Sequence, residues 1–276
     1  MKNDPSYFKD YLKLRFKRYY GYELDLDHPK TFAEKIQWIK LYGELERFSK
    51  YVDKYKVRRF IKKRIGEEYL IPLVGFYKNA DDIDLDVLPN SFAMKATHGS
   101  RWNILVKDKS QIDWKAAKQK MAKWIKSSYY TRNGERQYKP IKGHIVIEKL
   151  LQDSWGGLKN YRVFCFHGKP KYIMVDLIDD KYTDLYDLYW NRIRLNPFVN
   201  KSFPKTVKKP KRFDELISIA GQLSRDFAFV RVDMYYANDR ILFGELSFTP
   251  DNGFNRSYPI ELDIKLGNLL DLTRYV

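Results

Sequence analysis

The stretch Phe229-Val230-Arg231-Val232-Asp233-Met234-Tyr235, a short polar break, then Ile241-Leu242-Phe243-Gly244-Glu245-Leu246-Ser247 decides how the rest of the chain reads. Side chains alternate between the two faces of a strand. Val230, Val232 and Met234 therefore share one face with Leu242, Leu246 and Phe248, while Arg231, Asp233, Glu245 and Ser247 share the other. Turn residues between the runs make the pair a hairpin with one face on a core. A three-residue loop, Asn238-Asp239-Arg240, pairs Asp233 with Glu245 and Arg231 with Ser247. An even loop sets Glu245 opposite Val232 and mixes the faces, so pattern and register together favour the odd loop. Two carboxylates facing each other across a strand pair repel. Hard oxygen ligands on a rigid pair suit Mg²⁺ held together with nucleotide phosphates. A wet outer face neutralised by Arg231 explains the same residues equally well, and the hairpin alone does not choose.

Working outward, the chain to about Gly66 reads as helical, with Tyr11, Leu14, Phe32, Ile36, Ile39 and Leu41 as its spaced apolar positions. Thr31 followed by Glu34 is a capping box, and Asp53-Lys54 opens a further helix. From Tyr69 the texture becomes β-like: Leu70–Phe76, Ser91–Ala96 and a returning strand over Asn103–Val106. A helix capped by Asp113 is expected from Trp114 to about Tyr130. His144–Leu150 is the most apolar strand of the middle region. Antiparallel strands are expected over Tyr161–Phe166, Tyr172–Leu177 and Leu185–Arg192, then a helix capped by Asp214, the hairpin, and a C-terminal helix. This mixed order argues α+β rather than a repeating βαβ array. The expected divisions are a helical region over 1–68, then 69–143 and 144–276.

The chain has 276 residues, 44% of them hydrophobic and 16% aromatic, enough for a packed core and unlike a disordered chain. No apolar run approaches the roughly 20 residues that span a bilayer, and Met1–Pro5 lacks a signal-peptide stretch, so a cytoplasmic location is expected. The single cysteine, Cys165, lies in an apolar run and reads as a buried thiol. His28, His98, His144 and His167 show no zinc-ligand spacing with it or with each other. No Walker-type loop or Ser-His-Asp order is present. A net charge of +17 points to a polyanionic partner, although a solvated lysine-rich surface gives the same number.

A set of ordered segments then resembles one superfamily. Phe32–Trp38, Asp53–Arg58, Lys95-Ala96-Thr97-His98-Gly99-Ser100, Glu148-Lys149, Tyr161-Arg162-Val163, Arg231-Val232-Asp233 and Gly244–Phe248 occur in the order found in ATP-grasp proteins, specifically the teichuronopeptide-biosynthesis (TupA-like) branch. The resemblance covers nearly the whole chain. It implies an α+β ATP-grasp fold, two lobes clamping ATP, with a short helical N-terminal region. It also implies roles: Lys95 and Lys54 contact ATP phosphate, and His98, Gly99 and Ser100 belong to a phosphate-covering loop. Glu148 and Lys149 meet adenine, Arg162 faces the triphosphate with Arg231 as a second catalytic arginine, and Asp233 and Glu245 bind Mg²⁺. Ser247 stands where many members carry a third-ligand Asn. Trp102 and Trp155 are candidates for lining a sugar site.

The activity this implies is ATP-dependent carboxylate–amine ligation, joining an amino acid to an acidic sugar or polysaccharide intermediate, with peripheral contact to membrane-linked glycan. Two rivals stand beside it. A phosphoryl- or glycosyltransferase of the same pathway would need, for glycosyl transfer, a placed Asp-x-Asp motif, whereas Asp25-Leu26-Asp27 and Asp84-Leu85-Asp86 are out of place. A nucleic-acid-binding module would need no paired carboxylates, and no specific nucleic acid is expected.

Overall fold

The computed structural model describes residues 5–152, 158–177, 182–198 and 201–275. In chain order, helices α1 (Pro5–Tyr20), α2 (Phe32–Tyr42), α3 (Ser49–Val52) and α4 (Val57–Arg64) come first. Strands β1 (Leu73–Tyr77), β2 (Phe92–Ala96) and β3 (Asn103–Val106) follow, then α5 (Trp114–Lys126), α6 (Tyr130–Asn133) and β4 (Ile145–Lys149). Next are β5 (Lys159–Phe166), β6 (Lys169–Leu177), β7 (Thr183–Asp187) and β8 (Arg192–Ile193). Helix α7 (Phe213–Ser224), the strands β9 (Phe229–Ala237) and β10 (Arg240–Ser247), and α8 (Ile260–Asn268) complete the order. By their contacts these elements form two compact units. One is Met1–Leu45, Lys159–Met234 and Leu246–Val276; the other is Glu46–Leu158 and Tyr235–Glu245.

The second unit is built on an antiparallel sheet in the order β1-β4-β2-β3. Alternation along β2 and β4 turns Phe92, Met94, Ala96, Ile145 and Ile147 onto one face. Helix α5 covers that face with Ala117, Met121 and Trp124, spaced by four and three residues. It starts as expected, with Asp113 accepting the Ala116 N–H at 2.9 Å. It ends at Lys126 rather than near Tyr130, because Ser127 is already extended and donates back to the Trp124 carbonyl.

The first unit carries most of the other antiparallel sheet, in the order β10-β9-β5-β6-β7-β8. Helix α7 packs on β5 and β6 through Leu216, Ile219, Ala220 and Leu223. Asp214, expected as its cap, instead sits inside the first turn, where a carboxylate still favours the positive end of the helix dipole. The single strand expected over Leu185–Arg192 is broken. Asp187 accepts the N–H groups of Tyr189 and Asn191 through one carboxylate oxygen, turning the chain before the short β8. Cys165 is wholly buried and burial pushes its thiol up to about 12, which makes it inert.

Helix α1 corrects the reading of its apolar spacing. Leu12 and Phe16, one turn apart, are the fully buried positions, packing with Leu24, Leu26, Ala33 and Phe254, whereas Tyr11 and Leu14 are exposed. Helix α2 begins with the expected capping box: the Glu34 N–H donates to Thr31 Oγ1, and Glu34 Oε2 accepts the Thr31 and Lys30 N–H groups at 2.9 Å. At the same end, Asp263 of α8 accepts the Ala33 N–H at 3.3 Å. Asp263 is buried, and burial pushes its carboxyl up to about 7 despite that N–H.

Two outcomes follow for stability. Thr31→Ala removes half of the capping box and is expected to cost about 1 kcal/mol in urea unfolding. Because the folded pKa of Asp263 lies above its unfolded value, the neutral acid's contribution is complete below about pH 4 and is lost as pH rises through about 7. Asp263→Asn is expected to flatten that slope in unfolding experiments between pH 4 and 7.

Candidate functional site

The hairpin that anchors the sequence reading is present, with a different turn. Its loop has two residues, Asn238 and Asp239, both at positive φ (50° and 61°), the backbone that matches the twist of paired strands. The three-residue loop is therefore corrected to an even one. Counted straight along the ladder, an even loop separates the polar set between faces. The Arg231 guanidinium nevertheless reaches Ser247 Oγ at 3.3 Å.

In the first unit the arrangement is a charged cluster on β5, β6 and β9. Arg231 and Asp233, two residues apart on one strand, form a bidentate pair with both N–H···O distances 2.7 Å. Arg162 on β5 lies 2.6 Å from Asp176 on β6 and 3.9 Å from Asp233. The Arg162 Nε–H does not point along the shorter contact, so this is an ion pair by proximity rather than a directed hydrogen bond. Asp176 also accepts from Thr183 Oγ1 at 3.0 Å. Burial pushes its carboxyl upward, against the pull of the Arg162 charge. Arg162, Arg231, Asp233 and Ser247 thus come together as a group.

In the second unit the gathered residues are Lys54, Lys95, Glu148 and Glu245. Lys95 on β2 donates to Glu148 Oε2 at 2.8 Å, and Arg58 on α4 donates to Glu148 Oε1 at 3.1 Å. The β2–β4 register sets Lys95 opposite Val146, diagonal to Glu148 on the same face. Lys54 is placed by the Asp53 carboxylate, which accepts the Tyr55 and Lys56 N–H groups, and its ammonium donates to the Gly99 carbonyl at 2.8 Å. Burial lowers the Lys54 pKa, and the nearby Glu245 charge is the largest opposing influence. For Lys95 burial also pulls down, but the charges of Glu148, Tyr235 and Glu245 and the bond to Glu148 leave it raised. Each carboxylate of the hairpin is therefore countered by cations of its own unit.

Other expected positions fall elsewhere. The His98 ring is buried and faces the Trp124 and Ser127 carbonyls, so its side chain anchors the loop instead of reaching solvent. Burial lowers its pKa, which keeps the ring neutral. Gly99 packs so closely on Trp102 and Tyr129 that an added Cβ would sit 2.7 Å from the Trp102 ring. Ser100 is half-buried beside it, and Lys149, at the end of β4, is exposed. Trp102 stacks on Trp124 in the core, which corrects its assignment to a sugar site; Trp155 lies outside the described residues.

Several residues of the site were not picked out from sequence. Asp176 was signalled by a carboxylate ending an otherwise apolar strand, and Arg58 by its place one turn after Lys54. Gln37 and Lys40 lie on the same buried face of α2 as Ile36 and Ile39. They serve the turn after β10, where Asp251, Asn252 and Gly253 all have positive φ (51°, 58° and 71°). The Gln37 amide donates to the Asn252 and Gly253 carbonyls, Lys40 to the Asn252 carbonyl, and Tyr20 to the Gly253 carbonyl. Gly253 adopts that region freely, but Asp251 and Asn252 before it are costly there and persist only where the surroundings fix them.

The donor set can be tested against a cation. In the first unit Asp233 and Ser247 offer hard oxygens of the kind Mg²⁺ takes. Asp233 spends one lone pair of each oxygen on Arg231, and an ionised carboxylate has about four in all. On that count Asp233 keeps lone pairs for an ion. Among the described residues no group of three or more His, Cys, Asp or Glu side chains forms a self-sufficient metal site.

Comparison with known proteins agrees with this architecture. The solved D-alanine–D-alanine ligase of Helicobacter pylori superposes with a TM-score of 0.50 at 14% identity, over 88% of this chain and 70% of that one, a likeness of fold. That of Bacillus anthracis, complexed with ATP, gives 0.49 at 14% identity over 79% of this chain. This chain spans only 63% of that ligase's length. The D-cycloserine synthetase DcsG gives 0.46 at 13% identity, covering 87% and 80%. No curated protein matches in sequence. A family model described as TupA-like ATPgrasp matches residues 34–271, most of the length, and the chain belongs to that ATP-grasp family.

Proposed function

We propose that the protein is an ATP-dependent carboxylate–amine ligase that attaches an amino acid to a uronic acid of a cell-surface polysaccharide intermediate. The observation that carries the reading is the half-buried lysine pair Lys54 and Lys95, held ready by Asp53, Gly99 and Glu148. A buried ammonium is costly unless paired, and a polyphosphate is the ligand that repays two of them on one surface. Family membership supports ATP as that ligand.

When bound, Mg-ATP supplies a γ-phosphoryl group to the substrate carboxylate, giving ADP and an acyl phosphate from which the amine displaces phosphate. The protein's part is positioning and charge compensation. Lys54 and Lys95 neutralise phosphate oxygens, and the main chain of Gly99 and Ser100 lies beside them. Asp233, Glu245 and Ser247 offer the oxygens that hold Mg²⁺. Arg231 orients Asp233, and Arg162 offsets negative charge on the transferring group. No side-chain nucleophile is required. The positive surface is compatible with an acidic glycan as the carboxylate donor.

Incubation with Mg-ATP, an amino-acid panel and uronic-acid sugars is expected to yield ADP and phosphate in step with a new amide. Release of AMP excludes the reading, and a phosphorylated sugar without free phosphate points to phosphoryl transfer instead. Asp233→Asn and Glu245→Gln are each expected to lower ATP turnover at least roughly a hundredfold while circular dichroism is unchanged; a fully active double variant removes the metal assignment. Glu148→Gln takes away the charge that holds Lys95 raised and also supports Lys54. The alkaline limb of the turnover–pH profile is therefore expected to move to lower pH, and an unmoved limb contradicts the role of these lysines.

A further inference from the structure

Helix α1 has two apolar faces where a surface helix of a globular domain needs one. Leu12 and Phe16 fill the core of the first unit. Tyr7, Tyr11 and Leu14, spaced by four and three residues along the outer face, are 60%, 42% and 65% exposed. Lys13, Lys17 and Arg18 stand exposed around this stripe, with Asp10 as the one acidic side chain of the helix and Glu23 pairing with Lys17.

A second apolar point is tied to the C-terminal end of α1. Arg256 lies over the Tyr19 ring at 4.4 Å and donates to the Arg18 carbonyl at 3.4 Å. Asn196 donates to the Arg256 carbonyl at 3.3 Å, and two residues on comes Phe198, which is 97% exposed. The chain that follows presents Lys201, Lys205, Lys208, Lys209 and Lys211 to solvent.

We propose that this face of the first unit docks peripherally on an anionic lipid bilayer. Tyrosine rings suit the depth of lipid head groups, and a protruding Leu and Phe add shallow apolar insertion. Lysine and arginine lay their stems along the apolar surface and carry their charge to lipid phosphates. The cationic surround also argues against a protein partner, because lysine is depleted in protein–protein interfaces. Among the described residues no helix is long and apolar enough to cross a membrane. The surface shares no residue with the lysine and carboxylate clusters and does not rest on the ligase reading.

Sedimentation with vesicles tests it, without nucleotide or substrate. The protein is expected to pellet with vesicles of phosphatidylglycerol and phosphatidylcholine in equal parts, to stay in solution with phosphatidylcholine alone, and to bind less at high salt. Tyr11→Asp with Leu14→Glu is expected to lower the partition coefficient at least roughly tenfold while Tm and ATP turnover stay unchanged. Should that helix variant fail to fold, Phe198→Ser, on a loop, gives the same readout with a smaller loss. Three results overturn the proposal: no pelleting with anionic vesicles, equal binding by the apolar-stripe variants, or a loss of self-association in sedimentation equilibrium as their only effect. A chain that binds vesicles but does not turn over ATP fails the ligase reading alone.

Discussion

Asp233 is only 3% exposed, on a strand whose first six residues are all buried. An ionised carboxylate at that depth is tolerated only with a fixed, hydrogen-bonded partner. Arg231 supplies it from the same strand, two positions earlier, so the strand's own pleat builds the fork that holds the charge. The neighbouring strands answer the remaining charge with Arg162 and Asp176. The sheet of the first unit is thus organised around a charged layer whose members are each other's solvation. The core beneath it is apolar because alternation sends Val230, Val232 and Met234 the other way.

The second unit solves a related problem with opposite sign. There the costly groups are ammonium ions, and what holds them is a carboxylate shared between Lys95 and Arg58 together with a backbone carbonyl for Lys54. Burial works against both lysines, and they differ in how much negative charge surrounds them: Lys95 is raised and Lys54 is lowered. The two neighbouring cations therefore differ in proton affinity, Lys95 holding its proton more tightly than Lys54.

Much of this was legible in the residues. Alternation over 229–235 and 241–247 marks the two strands of the hairpin, and Thr31 with Glu34 and Asp113 mark two helix starts, because such signals act over three or four residues. The apolar faces of α1 were less legible: Tyr11 and Leu14 keep a helical spacing as good as that of Leu12 and Phe16, and only the packing of Phe254 and Leu24 decides which pair goes inside. The hairpin turn is not legible in the face pattern, because two-residue and three-residue loops leave the same alternation within each strand. His98 and Trp102 followed the same rule: a loop near a candidate site can be positioned by side chains that point away from it. Gln37 and Lys40 were invisible as site residues because their partners lie more than 200 positions away.

That separation bears on how the protein is made. Helix α2 is complete, cap included, once the first few dozen residues exist, but the carbonyls its Gln37 and Lys40 receive belong to a turn near the C-terminus. During synthesis the growing chain must therefore carry a helix whose inner face is apolar yet studded with an amide and an ammonium that lack their final partners. Contacts so far apart in sequence carry a large loop-closure cost and raise the contact order of the fold. The left-handed turn at 251–253 is held by side chains of α2 in a conformation it would not keep alone.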